Sequence, residues 1–177
     1  MYDIIIVGAG PGGYVAAIKA AQLGAKVALI EKENIGGICL NDGCIPTKTF
    51  LKSASVFKTV NRANFFGITT ENITFDWPKI VDRKDKVVKQ LTSGVSFLLK
   101  KNKVDVINGF GEILSSSQVK VDTKIYDTKN IIIATGSSAI MPPIDGVKDA
   151  YEKGFLYTSK ELLHIKAVPK KLVIVGG

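Results

Sequence analysis

A Gly-x-Gly-x-x-Gly motif near the N-terminus constrains the fold of this chain more than any other feature. Gly8, Gly10 and Gly13 follow an apolar run at residues 2–7 and precede an apolar stretch of helical character at 11–23. In such a motif the first glycine permits a tight turn, the second lets backbone approach a pyrophosphate, and the third lets the helix pack closely on the strand. The motif therefore predicts a strand–turn–helix unit that binds a dinucleotide.

The segment after the helix completes a βαβ unit. Gly24 ends the helix, and residues 26–30 return as a second strand that closes on Glu31. A carboxylate at the end of the second strand is placed to accept hydrogen bonds from a ribose. The helix N-terminus, with its free N–H groups and positive dipole end, would face the phosphates.

The rest of the chain predicts an α/β fold. A helix begins near Cys44, and apolar residues recur at helical spacing through 78–102. A strand at 104–108 follows, then short alternating strands over 109–127. A continuous apolar strand at 130–134 suits burial in a parallel sheet. The expected fold is a Rossmann-like domain, a parallel sheet flanked by helices, with a small β-meander.

The pattern also predicts the domain organisation. Residues 1–141 form the N-terminal part of the nucleotide-binding domain, and residues 142–169 form a linker with a short helix at 158–165. Residues 170–177 repeat the opening strand-to-glycine pattern. We expect a strand at 171–175 to be the first strand of a truncated second nucleotide-binding domain, so the first domain is expected to be incomplete at its C-terminal end.

Two cysteines, Cys39 and Cys44, lie in or at the end of a glycine-rich loop at 34–44. No signal-like leader precedes the first strand, so we expect a cytoplasmic protein, in which a disulfide is more often catalytic than structural. Closing so short a loop contributes only about 2 kcal/mol in the chain-entropy model. No metal site is expected, because the one histidine, His164, is far away in sequence.

The position of each cysteine suggests a different role. Cys44 stands where a helix begins, and a helix N-terminus stabilises a thiolate. Cys39 lies upstream in the loop and is the better candidate for exposure to a substrate. Such a pair can accept two electrons as a dithiol and return them to an adjacent acceptor.

The net charge of +8 does not indicate nucleic-acid binding. The lysines are scattered along the chain and only two arginines are present, whereas duplex binding usually needs a concentrated basic stripe. No apolar run approaches the roughly 20 residues that a membrane helix needs. We expect neither nucleic acid nor membrane as a partner.

The pattern Cys-x-x-x-x-Cys followed by Ile-Pro-x-Lys, at residues 39–48, resembles the class I pyridine nucleotide-disulfide oxidoreductases. That family includes dihydrolipoyl dehydrogenases, glutathione reductases and mercuric reductases. Residues 82–104 resemble the dihydrolipoyl dehydrogenases specifically, and the resemblance covers essentially the whole chain. It implies an FAD-binding enzyme that oxidises dihydrolipoamide, carried on a lipoyl domain, with NAD+ as final acceptor, and that forms a homodimer when full-length.

The resemblance also implies roles for individual residues. Cys44 would lie against the flavin, Cys39 would exchange with dihydrolipoamide, and Lys48 would sit near the reactive edge of the ring. The implied cofactor-binding residues are Gly8, Gly10, Pro11, Gly12, Gly13, Glu31, Lys32, Gly36, Gly37, Ile38, Cys39, Lys48, Gly111, Ala134, Thr135, Gly136 and Ser137. Ile38 and Asp42 depart from the commonest family pattern. His164 has no matching context and is expected to be a surface residue.

Three other interpretations stay open at this point. The chain could belong to a glutathione- or mercuric-reductase-like enzyme, or it could be a flavin-binding fragment without turnover. As an N-terminal part, the isolated chain is expected to hold FAD weakly or not at all and to be inactive. A plain NAD-binding protein is the weakest interpretation because it leaves Cys39 and Cys44 unexplained.

Overall fold

A computed structural model describes residues 1–176 of the chain. Gly177, the last residue of the segment predicted to open a second domain, lies outside the described residues. Within the described part, no helix is long and apolar enough to cross a membrane.

Six strands form one continuous sheet, as the α/β prediction requires. The strands are β1 (Tyr2–Val7), β2 (Val27–Glu31), β3 (Asp105–Asn108), β4 (Gly111–Ser115), β5 (Gln118–Val121) and β6 (Lys124–Ile133). Their order across the sheet is β3-β2-β1-β6-β5-β4. The first four strands in this order are parallel, and β6, β5 and β4 form an antiparallel meander. The predicted parallel sheet with a β-meander is confirmed.

Strand β6 corrects one prediction. The sequence predicted that the alternating strands end at 127 and that a separate strand begins at 130, but β6 is a single strand of ten residues. Its first residues pair with β5, and from Thr128 onward it pairs with β1. The sequence pattern changes near Thr128 because β6 pairs with a different strand from there onward, although its backbone remains one continuous strand. Ile132 and Ile133, at the end of β6, are 37% and 67% exposed.

Residues 1–176 contain six α-helices and one 3-10 helix. They are α1 (Pro11–Gln22), α2 (Gly37–Asn41), α3 (Cys44–Asn61), the 3-10 helix (Ala63–Phe66), α4 (Trp77–Lys101), α5 (Val147–Glu152) and α6 (Ser159–Leu162). The predicted helices at 11–23, near Cys44 and at 78–102 are confirmed within a residue or two. The short helix predicted at 158–165 is present as α6. Helix α5 was not predicted.

Helix α2 lies inside the stretch that was predicted to be a loop. The side-chain amide of Asn41 donates hydrogen bonds to the carbonyl oxygens of Ile35 and Gly37, at 3.1 and 2.9 Å. Leu40 is buried in the core, which fixes the short helix against the domain. Five residues are too few for helical periodicity to be visible in a sequence.

The strand predicted at 171–175 is not formed. Among residues 1–176 no strand pairs with this segment. Val173, Ile174 and Val175 are 85%, 76% and 78% exposed. A strand needs a neighbouring strand for its backbone hydrogen bonds, and apolar alternation alone does not supply one.

The sheet is buried on both faces. One face packs against α1 and α4 through Ile6, Ala9, Ala17, Val27, Leu29, Leu40, Val95, Leu99 and Val104. The opposite face packs under the meander through Ile5, Val7, Ala28, Ile30, Val119 and Val121. Because both faces of β1 and β2 are covered, their residues are apolar without alternation.

The close approach of α1 to β1 depends on Gly13. A Cβ at Gly13 would lie 1.7 Å from the carbonyl oxygen of Gly8, so alanine cannot fit unless the backbone moves. We expect Gly13→Ala to lower the free energy of unfolding by about 1–3 kcal/mol, in urea denaturation without added nucleotide. Gly12→Ala is the matched control, since nothing lies within 4 Å of its Cβ position and alanine favours helix. Equal losses in the two variants would contradict this account.

Candidate nucleotide and dithiol site

The loops that follow β1, β2 and β6 meet at the carboxyl end of the parallel sheet. The N–H of Gly8 donates to the carbonyl oxygen of Ile30 at 2.8 Å, and the N–H of Ala134 donates to that of Val7 at 2.8 Å. These bonds place the glycine motif beside the start of the segment at 134–137. Ligands of open α/β sheets bind at this edge.

The glycines of the motif are of two kinds. Gly8 has φ +103°, and a Cβ there would lie 2.2 Å from the carbonyl oxygen of Ala134, so Gly8 and Gly13 are required by packing. Gly10 and Gly12 are different, because no atom lies within 4 Å of their Cβ positions. Pro11 opens α1, and no side chain caps the helix N-terminus. An open, side-chain-free backbone at a helix N-terminus fits a pyrophosphate.

Glu31, predicted to bind a ribose, is already hydrogen-bonded to backbone. Its carboxylate accepts from the N–H of Ala9 at 2.7 Å and from the N–H of Glu33 at 2.8 Å. A carboxylate accepts about four hydrogen bonds, so capacity for ribose hydroxyls remains. Glu31 therefore braces the glycine loop as well as offering acceptors. Lys32 is exposed and forms an ion pair with Glu33 at 3.6 Å.

Gly36 and Gly37 dock the cysteine-bearing segment onto the glycine loop. The N–H of Gly36 donates to the carbonyl oxygen of Ala9 at 2.9 Å. Gly37 has φ +56°, and a Cβ there would lie 2.7 Å from the Cα of Gly10. Ile38, the next residue, is 50% exposed. The cysteine segment and the glycine loop are therefore in direct backbone contact.

The remaining predicted cofactor residues lie at the same edge of the sheet. A Cβ at Gly111 would meet Val7 and Ile30 at 3.1 and 3.2 Å, so packing alone favours glycine there. Ala134 is half-buried beside Gly8. Residues 135–137 continue beyond β6 and are exposed.

The two cysteines lie in adjoining helices, Cys39 in the middle of α2 and Cys44 at the first residue of α3. Both are free thiols in this structure. A hydrogen bond with the Cys44 side chain, and burial after it, raise the pKa of the Cys39 thiol, and the charge of Lys48 opposes the shift. Lys48 lies one turn along α3 from Cys44, so the two share a helix face. The structure thus brings together Cys39, Cys44 and Lys48.

The relative exposure of the cysteines differs from the prediction. Cys39 was expected to be the more exposed of the two, yet it is half-buried and Cys44 is exposed. The reason is α2, which packs Cys39 against the hydrophobic core. Cys44 is the first residue of α3, and its side chain is exposed.

A charged cluster surrounds Asp42 and was not predicted from the sequence. His164, predicted to be a surface residue, is half exposed, but its Nε2 lies 3.0 Å from Oδ1 of Asp42. Lys160 Nζ lies 3.5 Å from Oδ2 of Asp42 and 3.5 Å from Glu33. The only sequence signal was the departure of Asp42 from the family pattern, since residues more than 110 positions apart cannot be paired from one sequence.

The site can therefore combine two chemistries. The open backbone at Gly10 and Gly12 offers N–H groups to a dinucleotide, and Cys39 and Cys44 can exchange between dithiol and disulfide. The contact of Gly37 with Gly10 brings these functions together at one edge of the sheet.

Comparison with known proteins agrees with this arrangement. The family model described as pyridine nucleotide-disulphide oxidoreductase matches residues 2–177. A dihydrolipoyl dehydrogenase of Acholeplasma laidlawii is 69% identical over 177 residues, covering 99% of this chain and 53% of that protein. Dihydrolipoyl dehydrogenases of Zymomonas mobilis and Bacillus subtilis are 46% and 45% identical, and the chain covers 38% and 37% of their lengths. The chain, which spans about half or less of these relatives, belongs to the pyridine nucleotide-disulphide oxidoreductase family.

Proposed function

We propose that this chain supplies the FAD-binding and dithiol part of a dihydrolipoyl dehydrogenase, which oxidises dihydrolipoamide to lipoamide with NAD+ as final acceptor. The observation that carries the proposal is the docking of the Cys39–Cys44 segment onto the glycine loop through Gly36 and Gly37. The names of the relatives support the choice of dihydrolipoamide over glutathione or a mercuric ion as substrate.

In this proposal the ADP half of FAD binds the open backbone at Gly10 and Gly12, with Glu31 and Lys32 beside the ribose. Pro11 begins the helix whose N-terminus faces the phosphates. Ile38, Gly111 and residues 134–137 complete the wall of the cleft. Residues 1–141 form the FAD-binding part, residues 142–169 the linker, and residues 170–177 the start of an NAD-binding domain.

The cysteines carry the thiol chemistry. A thiolate of dihydrolipoamide attacks the sulfur of Cys39 in the Cys39–Cys44 disulfide, which forms a mixed disulfide and releases Cys44 as a thiolate. The second thiol of the substrate then displaces Cys39, so lipoamide leaves and the cysteine pair has gained two electrons and two protons. Bound FAD supplies the route by which these two electrons leave the cysteine pair for NAD+. The exposed position of Cys44 supports its role as the cysteine that faces the flavin.

The proposal includes partners and location. The substrate arrives on a lipoyl carrier domain, and the full-length protein acts as a cytoplasmic homodimer without nucleic-acid or membrane partners. Lys48, one turn from Cys44, stays close to the flavin edge, and its charge near Cys39 supports that placement.

The activity is tested with the full-length protein that carries this sequence. Mixed with FAD, NAD+ and dihydrolipoamide, it should form NADH, followed as absorbance. Reduction of glutathione disulfide or of mercuric ion at a higher kcat/KM than dihydrolipoamide oxidation would overturn the choice of substrate.

Substitution of each cysteine should separate the two roles. In the full-length protein with FAD, Cys39→Ser should leave a thiolate at Cys44 and preserve long-wavelength charge-transfer absorbance, whereas Cys44→Ser should abolish it. Both variants should lose lipoamide-dependent NADH formation, because neither can form the disulfide. The opposite pair of spectra would show that the assigned roles are exchanged.

Gly10→Ala should weaken FAD binding without destabilising the fold. The Cβ position of Gly10 is open and its φ of −69° suits any residue, so packing is unaffected, but a methyl group would stand where backbone approaches the pyrophosphate. We expect at least a tenfold rise in the Kd for FAD by fluorescence titration, about 1.4 kcal/mol. Gly94→Ala, also with an open Cβ position but in α4, is the matched control. Unchanged FAD affinity in Gly10→Ala would place the phosphates elsewhere.

Glu31→Ala should weaken FAD binding by roughly 1–3 kcal/mol, because polar partners lose an acceptor. The same change leaves the N–H groups of Ala9 and Glu33 without their carboxylate, so stability without FAD should also fall. Urea denaturation and FAD titration of Glu31→Ala and Glu31→Gln separate the two effects. Full FAD retention by Glu31→Ala during dialysis would remove the ribose contact from the proposal.

A further inference from the structure

A charged cluster connects the segment after the sheet to the turn between the two cysteines. Asp42 stands two residues before Cys44, and its side chain is only 14% exposed. Its two carboxylate oxygens have separate partners: His164 Nε2 at 3.0 Å and Lys160 Nζ at 3.5 Å. Asp42, and Glu33 after it, raise the pKa of Lys160, as expected for a cation held between carboxylates.

Both sides of this contact are locally ordered. The N–H of Asp42 donates to the carbonyl oxygen of Ile38 at 2.8 Å, which closes the end of α2. On the other side, Thr158 and Glu161 form a capping box that fixes the start of α6. The contact therefore joins two folded turns.

A second contact holds the same segment independently of Asp42. The indole N–H of Trp77 donates to the carbonyl oxygen of Ile165 at 3.1 Å, and the Trp77 ring stacks on Phe50 of α3 at 5.3 Å. Loss of the Asp42 contact therefore leaves the segment attached to α4, so variants of the cluster should fold.

We propose that Asp42 is a positioning residue: its contacts with His164 and Lys160 hold the turn between Cys39 and Cys44 in the conformation that favours disulfide closure. The proposal rests on the proposed function only in taking these cysteines as a redox pair. Closure of so short a ring depends on the conformation of the residues between the two cysteines. Among these residues, Asp42 is the one whose side chain contacts the 158–165 segment. Holding reacting groups in place raises their effective concentration.

In a competing account, Asp42 acts only through its negative charge. This account predicts that His164→Gln shifts the disulfide equilibrium in the opposite direction. If Asp42 acted only as a negative charge near the thiols, removal of His164 would leave that charge less compensated and would disfavour thiolates. His164→Gln would then favour the disulfide. If His164 helps to hold the turn, His164→Gln disfavours the disulfide instead.

The test is a redox titration of the purified protein against mixtures of reduced and oxidised dithiothreitol, without added FAD or lipoamide. In this equilibrium the two thiols lose two electrons and two protons to oxidised dithiothreitol. The disulfide fraction is measured by alkylation and mass spectrometry. We expect His164→Gln and Asp42→Asn each to lower the equilibrium constant for the disulfide about three- to tenfold.

Two comparisons make the titration decisive. The double variant Asp42→Asn/His164→Gln should lower the constant by clearly less than the product of the single effects, since the residues act through one contact. Lys153→Gln, which breaks an ion pair with Asp149 at 2.9 Å on α5, is the matched control and should leave the constant unchanged. A constant for His164→Gln that is unchanged or higher than that of the parent, or an equal shift in Lys153→Gln, overturns the proposal. Failure of the protein to oxidise dihydrolipoamide would leave this titration unaffected.

Discussion

Direct backbone contact between three loops is the constraint on which the rest of the structure depends. Gly8 touches Ala134, Gly13 touches Gly8, and Gly37 touches Gly10, each at a distance that a Cβ would prohibit. These contacts set α1 against β1, bring the end of β6 to the glycine loop, and dock the cysteine segment beside it. The site is therefore built mainly from backbone. The close contacts between these backbone segments also determine where the reactive side chains lie.

Most of the fold can be predicted from the sequence, because the local sequence pattern of most segments agrees with the structure that each adopts in the whole fold. The strands β1 and β2 are nearly continuous apolar runs, and the helices α1, α3 and α4 each carry a proline in the first turn. The exceptions depend on tertiary contacts. Helix α2 exists because Leu40 is buried and Asn41 caps two carbonyls, and β6 is continuous because it changes pairing partner. The apolar run at 171–175 fits a strand by pattern but has no pairing partner in the described chain.

The sequence predicts which residues form the candidate site, but it does not predict how they are arranged. The motif indicates a turn at Gly8, backbone approach to a pyrophosphate at Gly10 and close packing at Gly13. It cannot show which atoms Gly8 and Gly13 contact, or that the Cβ positions of Gly10 and Gly12 are open. The motif likewise predicted an acceptor role for Glu31 without its two backbone hydrogen bonds. Cys39 was expected to be the exposed thiol because it lies in a glycine-rich stretch, but glycine-rich sequence does not reveal a helix that turns the side chain inward.

Asp42 departs from the commonest family pattern, and only the structure shows which residues the changed side chain contacts. An aspartate between two redox cysteines adds a negative charge beside groups that must form a thiolate, which is unfavourable unless the charge is compensated. His164 and Lys160, more than 110 positions away in sequence, lie where they compensate it. Because an apolar residue at position 42 would leave His164 and Lys160 without this partner, the three residues form one unit. The segment that carries Lys160 and His164 leads out of the sheet toward residues 170–176, so the unit also links the position of that segment to the conformation of the cysteine turn.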